Sequence, residues 1–380
     1  LLGLALFGAS SLACGAAPSM EILIAARAVQ GVAGGLLAGL GYAVINAALP
    51  RSLWTRASAL VSAMWGVATL VGPAMGGLFA QFGLWRWAFV AMAILTVLMA
   101  TLVPFVLAAG RVDSNAATST NVPVWSLVLI GAAALAVSVA QIPHNITATA
   151  GLLAIGVLLM GLFVLVDWRT RAAVLPPSVF GPGPLKWIYL AMGALMIGAM
   201  VDTYVPLFGQ RLAHLSPVAA GFLGAALAVG WTVSEIVSAS LEKSRTIGRV
   251  IAVAPLVVAS GLALGAVTQR DNASVGIVAL WTLALLVAGV GIGMAWPHLS
   301  VRAMDSVSDP AEGVAAAAAI NTVQLISGAF GAGLAGVVVN TAGGGDVVAA
   351  RWLFTVFTAL TAGGVFASYR ASYGAVRSKR

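Results

Sequence analysis

Three ionisable side chains lie inside long apolar stretches of the sequence, at Arg27, Asp202 and Glu235. A charged side chain in hydrocarbon costs a few kcal/mol, so such residues are usually retained for function. A fixed guanidinium favours the ionised form of a nearby carboxylate, whereas burial favours the protonated form of a carboxyl. These residue types therefore have the chemistry for reversible proton binding, and the acids could also bind a cation.

Arg27 and Asp202 each have a structural interpretation as well. Arg27 could pair with backbone carbonyls or with Glu21. Asp202 could lie near the membrane surface and pair with Arg211, which follows it in the sequence. The sequence leaves both interpretations open.

Two further acids are close to the ends of their apolar stretches. Glu235 could extend its side chain toward Lys243 or Arg245 at the cytoplasmic surface, since long polar side chains often reach out of the apolar layer. Asp167 lies at a predicted helix end, where we expect it to pair with Arg169 or Arg171.

Aromatic and amide side chains within the apolar stretches could line a cavity for a small molecule. A pocket for a drug-like ligand is mostly apolar, with a few placed polar groups. The candidates are Tyr42, Asn46, Trp65, Tyr204, Trp231, Asn321 and Gln324. Each of them could equally serve packing or anchoring at the membrane surface.

The sequence contains no residue pattern typical of a metal or cofactor site. The three histidines, at positions 144, 214 and 298, are predicted in loops or at helix ends and lack the spacing of metal ligands. No P-loop or hydrolase motif is present in the sequence. We therefore expect no metal, no cofactor and no enzymatic activity.

Helices that cross a membrane must position these residues. Of the 380 residues, 61% are hydrophobic and 8% are charged, whereas a soluble domain is about one quarter charged. A helix needs about 20 apolar residues to cross a bilayer. Twelve stretches approach or exceed this length, at about 1–17, 20–48, 57–82, 85–108, 124–141, 150–167, 186–209, 216–240, 247–268, 274–299, 313–340 and 348–369. We predict an all-α, polytopic membrane protein with twelve transmembrane helices.

The basic residues predict the orientation of these helices. If the first stretch begins in the cytoplasm, most of the 19 Lys and Arg residues fall on the cytoplasmic side. Only Arg86, Arg211, Arg270 and Arg351 fall outside, and Arg27 lies within a stretch. Because basic residues are enriched in cytoplasmic loops, we predict a cytoplasmic C-terminus. The same loops explain the net charge of +8 without a nucleic-acid partner.

Small residues in the third stretch predict a close contact between helices. Four of them recur every fourth residue and share one face: Ala68, Gly72, Gly76 and Ala80. Small residues let a second helix approach closely in a membrane. Pro73 favours a kink at the same place. Another glycine set, Gly331, Gly333 and Gly336, fits GxGxxG, but no strand precedes it, so we predict that it also serves helix packing.

Two motifs connect the chain to a known family. The second stretch has the spacing RxxQGxxGG, formed by Arg27, Gln30, Gly31, Gly34 and Gly35. The third has the spacing GPxxGG, formed by Gly72, Pro73, Gly76 and Gly77. Both resemble motifs of the major facilitator superfamily, where GPxxGG is the antiporter motif. The run WRWAF at 85–89 is similar to that of the fourteen-helix drug:proton antiporters in this family.

This resemblance implies a division of the chain. In that family the Arg motif belongs to the fourth helix and GPxxGG to the fifth, so this chain would correspond to helices three to fourteen and lack the first two. Residues 1–108 would be the remainder of the N-terminal bundle, 109–185 a linker with two extra helices, and 186–380 a C-terminal six-helix bundle with a basic tail. The resemblance also implies a role in proton coupling for Arg27 and a place at the bundle interface for GPxxGG.

The function implied by the resemblance is proton-coupled export of hydrophobic or cationic drug-like molecules by alternating access. Its partners would be a small-molecule substrate, protons and the lipid bilayer, and we expect a monomer. Abundant Ala and Gly with more Arg than Lys are typical of a bacterial protein, which places it in the inner (plasma) membrane. The alternatives are a facilitator for a specific solute or lipid, or a truncated, non-transporting remnant.

Overall fold

The computed structural model describes residues 1–106, 123–143, 145–170, 173–307 and 310–377. All regular structure in these ranges is helical, which confirms the all-α prediction. The helices are α1 Leu2–Ala16, α2 Met20–Ala48, α3 Arg51–Gln81, α4 Trp87–Val106, α5 Val124–Val139, α6 Ile146–Arg169, α7 Leu185–Ala199, α8 Val205–Ala213, α9 Pro217–Ser238, α10 Ser244–Thr268, α11 Val275–Asp305, α12 Pro310–Thr341 and α13 Asp346–Arg377.

Most of these helices are long and apolar enough to cross a membrane. Nine such segments occur in the described residues, with α7, the turn after it and α8 counted as one. The apolar helices α1 and α5 are shorter. The chain is thus a multi-pass membrane protein, while the count of twelve spans stays a prediction.

The seventh apolar stretch is interrupted. We predicted one helix over 186–209, but α7 ends at Ala199 and a 3-10 turn occupies Met200–Thr203 before α8 begins. Pro206 lies in the first turn of α8, where a missing N–H is tolerated, whereas inside a continuous helix it would remove a hydrogen bond. The predicted span is confirmed, since Leu185–Ala213 is long and apolar enough to cross a membrane, but hydropathy does not record the break within it.

The largest buried core lies in the second half of the chain. Helices α7, α9, α10, α11, α12 and α13 all contribute to it. Its largest fully buried side chains include Ile188, Met192, Leu262, Ile292, Trp296 and Phe357. This packing gives the second half a firm framework for the polar residues within it.

Helices α9 and α11 approach each other through glycines. A Cβ atom added to Gly289 of α11 would lie 2.0 Å from the carbonyl oxygen of Leu227 in α9. One added to Gly293 would lie 2.0 Å from the carbonyl oxygen of Trp231. Only glycine fits at such distances, so the two backbones are in direct contact.

The first half of the chain meets the second along the α3–α9, α3–α11 and α2–α12 helix pairs. Helix α3 packs on α9, and α2 packs on α12. Helices α5 and α6 form a pair, and α5 also packs on α12. Helix α3, which carries the GPxxGG motif, therefore contacts the second half of the chain, while the role of the motif at the bundle interface and the boundaries at residues 108 and 185 stay predictions.

Candidate functional site

Asp202 lies in the 3-10 turn between α7 and α8. Its Oδ1 atom is fully shielded from solvent and has no hydrogen-bond partner among the described residues. On one side the carboxyl faces Gly224 of α9, where an added Cβ would lie 2.9 Å from Oδ1. Pro206 lies next to the same glycine. A shielded carboxyl oxygen without a donor is costly to bury, which makes Asp202 a candidate functional residue.

The turn that holds Asp202 is fixed from two directions. The backbone N–H of Tyr204 closes it by donating to the carbonyl oxygen of Val201 at 3.1 Å. On the α12 side, Gly331 allows Met200 to pack closely, since an added Cβ would lie 2.7 Å from Met200 Cγ. The sequence forms a turn here because Pro206 cannot continue the hydrogen bonding of α7.

The alternative in which Asp202 pairs with Arg211 is wrong. Arg211 donates to Oδ1 of Asp346 at 2.9 Å, and both side chains are well exposed. Asp346 begins α13, far away in sequence, so the sequence offered no sign of this pair. Asp202 therefore does not owe its position to a salt bridge.

We expect Arg211→Gln to leave both transport and folding nearly unchanged. An exposed ion pair contributes about 0–1 kcal/mol, because solvent screens it and two side chains lose freedom. Dye efflux from cells and the melting temperature of the purified protein measure the two effects, with Asp346→Asn as the matched control. A large loss of efflux in Arg211→Gln alone would restore Arg211 as a partner of Asp202.

Glu235 does not extend toward the membrane surface. Its side chain is fully buried in α9, and its Oε2 accepts a hydrogen bond from Trp231 Nε1 at 2.8 Å. The Trp231 ring in turn lies 5.3 Å from that of Trp296 in α11. The predicted extension toward Lys243 or Arg245 is wrong, because the side chain is fully buried and accepts its hydrogen bond from Trp231 within α9.

His298 is a buried residue that the sequence reading placed at a helix end. Helix α11 continues to Asp305, so His298 lies inside it and is only 4% exposed. Its Nε2 lies 2.9 Å from the hydroxyl and 3.0 Å from the carbonyl oxygen of Ser238 in α9. The apolar residues on both sides of His298 were the signal that could have indicated burial.

Within the described residues, Arg27 bonds neither to Glu21 nor to a backbone carbonyl, the two kinds of partner considered for it. Its guanidinium donates to Gln30 Oε1, and Gln30 Nε2 donates to Ser11 Oγ in α1 at 2.6 Å. The guanidinium also lies 5.9 Å from the centre of the Phe89 ring in α4. Arg27 and Gln30 of the motif thus act together, and Gln30 connects α2 to α1.

The motif glycines make fewer close contacts than we expected. Among the described residues, an added Cβ would meet nothing within 4 Å at Gly31, Gly35, Gly72 or Gly76. Gly34 faces Phe7 of α1 at 3.5 Å, and Gly77 faces Val218 of α9 at 3.9 Å. The face with Ala68, Gly72 and Gly76 is therefore not the tight contact in this conformation, and α3 meets α9 one position along.

The GxGxxG set does serve helix packing, as predicted. A Cβ atom added to Gly333 would lie 3.0 Å from the backbone nitrogen of Ser138. One added to Gly336 would lie 2.0 Å from Gln141 Oε1. These contacts hold α12 against α5. The motif lies within one apolar helix, which fits packing between helices.

Two amides on α12 lie at the boundary between the halves. Asn321 and Gln324 are 1% and 3% exposed, and Nδ2 of Asn321 donates to the carbonyl oxygen of Ala38 in α2. Their side-chain oxygens, Oδ1 and Oε1, are buried without a hydrogen-bond donor among the described residues. Such acceptors suit a ligand that donates hydrogen bonds.

The remaining predicted residues are Tyr204, Trp231 and four residues whose side chains the structure does not describe. Tyr204 donates its hydroxyl to Gln141 Oε1 at 3.3 Å. The side chains of Tyr42, Asn46, Trp65 and Pro73 lie outside the part of the chain that the structure describes. The structure brings Tyr204 into the environment of Asp202, whereas Trp231 and Glu235 form a separate group on α9.

Asp167 has a structural role, with partners in the described residues other than the predicted Arg169, while the other predicted partner, Arg171, lies outside those residues. Its two carboxylate oxygens accept from the backbone N–H groups of Val174 at 2.7 Å and Leu175 at 2.9 Å. It therefore holds the loop after α6 rather than an arginine in the described residues. No cluster of metal ligands is found within those residues.

Comparisons with known proteins agree with this architecture. Residues 1–332 match the family described as Major Facilitator Superfamily. The chain is 72% identical over 377 residues to a "probable multidrug-efflux transporter" of Mycobacterium tuberculosis, covering 98% of this chain and 80% of that protein. It is 30% identical to a puromycin resistance protein of Streptomyces alboniger, covering 88% of this chain and 66% of that protein.

A solved structure shares the fold. The human organic anion transporter TETRAN superimposes with a TM-score of 0.63 at 15% identity, covering 97% of this chain and 75% of that one. At this identity the likeness concerns the fold alone. Together with the family match, it places α1 to α13 in a known transporter architecture.

Proposed function

The chain belongs to the major facilitator superfamily, and from this premise we propose that it is a proton-coupled exporter of hydrophobic or cationic small molecules. Its family membership makes it a membrane transporter. Export of drug-like molecules is supported by the relatives named for multidrug efflux and puromycin resistance. Proton coupling is supported above all by one observation, the shielded Oδ1 of Asp202 in a helix break.

We propose that Asp202 alternates between a protonated and a charged form during transport. In the charged form it would attract a cationic substrate, and a proton from outside would neutralise it and release the substrate outward. Breaks in transmembrane helices commonly mark binding sites in transporters, because the backbone there is free to serve a ligand. The 3-10 turn at Met200–Thr203 fits that pattern.

Arg27 and Glu235 are the other two proton-coupling positions of the proposal. Glu235 is buried beside Trp231, where a change in its protonation would alter the hydrogen bond from the indole. Arg27 is bonded to Gln30, so its charge is fixed near α1 and α4. Such a charge favours the ionised form of a carboxylate that approaches it during the cycle.

The substrate would bind between the two halves. Asn321 and Gln324 offer acceptor oxygens there for an ammonium or another donor. Tyr42, Asn46, Trp65, Tyr204 and Trp231 are the other proposed lining residues. Alternating access requires the α2–α12 and α3–α9 contacts to rearrange, so the bond from Asn321 to Ala38 would have to break.

The predicted orientation completes the proposal. With a cytoplasmic C-terminus, Asp202 lies toward the outer face and Glu235 toward the inner face. The GPxxGG residues Gly72, Pro73, Gly76 and Gly77 would seal the cavity between the halves when the conformation changes. We propose that the protein works as a monomer in the bacterial inner membrane.

Efflux from proteoliposomes tests this function. Ethidium, a lipophilic cation, should be transported when an inward proton gradient is imposed, because proton entry drives release of the substrate. Adding a protonophore should reduce transport to the level of protein-free vesicles. Ethidium movement that continues at full rate after the gradient collapses would instead indicate a facilitator.

A further inference from the structure

Gln141 joins the α5–α6 pair to the turn that carries Asp202. It lies two residues after α5, and its Oε1 accepts the hydrogen bond from the Tyr204 hydroxyl at 3.3 Å. Its Nε2 donates to the carbonyl oxygen of Ser138 at 2.9 Å. Both polar atoms of the Gln141 amide are therefore hydrogen-bonded, Nε2 to α5 and Oε1 to Tyr204.

Helix α12 fixes Gln141 from a third side. Its Gly336 leaves room for the amide, since an added Cβ would lie 2.0 Å from Gln141 Oε1. Nδ2 of Asn340 donates to the backbone oxygen of Gln141 at 3.0 Å. Five residues before Gly336, Gly331 packs on Met200, the first residue of the turn. The end of α5 and the turn thus rest on the same helix.

Tyr204 transmits the position of Gln141 to the turn. Its backbone N–H closes the turn on Val201, and its carbonyl oxygen accepts from the N–H of Phe208 at 3.0 Å in α8. A phenol that is held by Gln141 therefore also holds the backbone two residues after Asp202. Gly224 of α9 lies against the Asp202 carboxyl, since an added Cβ would lie 2.9 Å from Oδ1.

Two arginines at this end of the bundle have partners other than Asp202. Arg211 pairs with Asp346, and Arg351 donates to the backbone oxygen of Gln269 at 3.0 Å. None of these contacts involves the Asp202 carboxyl. Among the described residues, the neutral hydrogen bond between Tyr204 and Gln141 reaches the turn from the end of α5.

We infer that Gln141 is a positioning residue for Asp202, so that the α5–α6 pair takes part in proton coupling in addition to connecting the halves. The inference rests on the proposed function, in which Asp202 carries the proton. Loss of the hydrogen bond to Tyr204 would loosen the turn and admit water to the carboxyl. A hydrated carboxyl binds its proton less readily, so transport would need a higher proton concentration.

The test compares proton dependence in reconstituted protein. Ethidium efflux is recorded against external proton concentration for wild type, Gln141→Leu, Tyr204→Phe and the double variant. We expect each single variant to raise the half-maximal proton concentration about fivefold, the size of one hydrogen bond, and we expect the ethidium KM to stay unchanged in Gln141→Leu. The double variant should add nothing, because both changes remove the same bond. Gln210→Leu is the matched control, since Gln210 is exposed in α8 and donates only to a local backbone oxygen.

Three outcomes distinguish a failure of the inference about Gln141 from a failure of the proposed function. An unchanged proton midpoint in Gln141→Leu and Tyr204→Phe, with Asp202→Asn inactive, would overturn the inference and leave the function standing. Proton-dependent efflux in Asp202→Asn would overturn the function itself. Additive shifts in the double variant would also overturn the inference, because the two residues would then act separately. Tyr204→Phe removes one hydroxyl only, so it remains informative if Gln141→Leu folds poorly.

Discussion

Replacing Asp202 by Asn reduces proton-driven efflux to the background of membranes without the protein, while the amount of folded protein stays at the wild-type level. The amide has nearly the shape of the carboxyl but cannot gain or lose a proton. Because Oδ1 of Asp202 has no donor in the described residues, the amide loses no hydrogen bond there. Ethidium efflux and fluorescence-detected size exclusion on the same membranes measure the two quantities.

The matched control for this change is Asp346→Asn, an acid at the same end of the bundle. Asp346 is exposed and paired with Arg211, so we expect its replacement to leave efflux nearly unchanged. Asp202→Glu should retain part of the proton dependence, since the longer side chain keeps the titratable group. Efflux at the wild-type rate in Asp202→Asn would remove this residue from the mechanism.

Replacing Gly289 by Ala strongly destabilises the protein. The added Cβ would lie 2.0 Å from the carbonyl oxygen of Leu227 and 2.8 Å from the backbone nitrogen of Trp231. Both atoms belong to the backbone of α9, so no rotamer change can relieve the clash and the two helices must separate. Overpacking usually costs about 1–3 kcal/mol or more, and a backbone clash of this kind should fall at the upper end. The melting temperature in detergent should fall by several degrees or more, with loss of monodisperse protein.

Gly76→Ala provides the matched control for that change. A Cβ at Gly76 meets nothing within 4 Å among the described residues, so the same added methyl should leave the melting temperature unchanged. Equal melting temperatures for wild type and Gly289→Ala would contradict the close α9–α11 packing. A fall in Gly76→Ala as large as that in Gly289→Ala would show that the two glycines are equally confined.

The sequence predicts where the helices lie along the chain better than it predicts which face of each helix is buried. Apolar length is a strong signal in a bilayer, and the stretch predicted at 216–240 corresponds to α9 at Pro217–Ser238. In a membrane, however, the lipid-facing and the packed sides of a helix are both apolar, so the sequence does not show which side is buried. Glu235 was therefore assigned to the membrane surface although it is fully buried.

Contacts between distant segments were beyond the reach of the sequence. The ion pair of Arg211 with Asp346 joins α8 to α13, and the bond of Tyr204 with Gln141 joins the turn to the end of α5. The sequence around each of these four residues gives no indication of the residue that it contacts. The glycine spacing in α12 predicted close packing correctly, because three glycines within one apolar helix leave a small-residue surface that a second helix can approach.

The helix break at Asp202 illustrates what local reasoning can add. Pro206 was visible in the sequence, and a proline four residues after an acid removes the hydrogen bond to that acid's carbonyl group. Hydropathy alone still favoured a continuous helix over 186–209. Giving proline more weight would have predicted the turn, although the shielding of Oδ1 by α9 depends on the tertiary fold.

The most direct test of proton coupling through Asp202 is proton movement driven by substrate. Proteoliposomes that contain a pH-sensitive fluorophore are prepared without a pH gradient, and a concentration gradient of ethidium is then imposed. Wild-type protein should move protons in the direction opposite to ethidium, and Asp202→Asn should move none. Ethidium movement without proton movement in wild type, or undiminished proton movement in Asp202→Asn, would contradict proton coupling through this carboxyl.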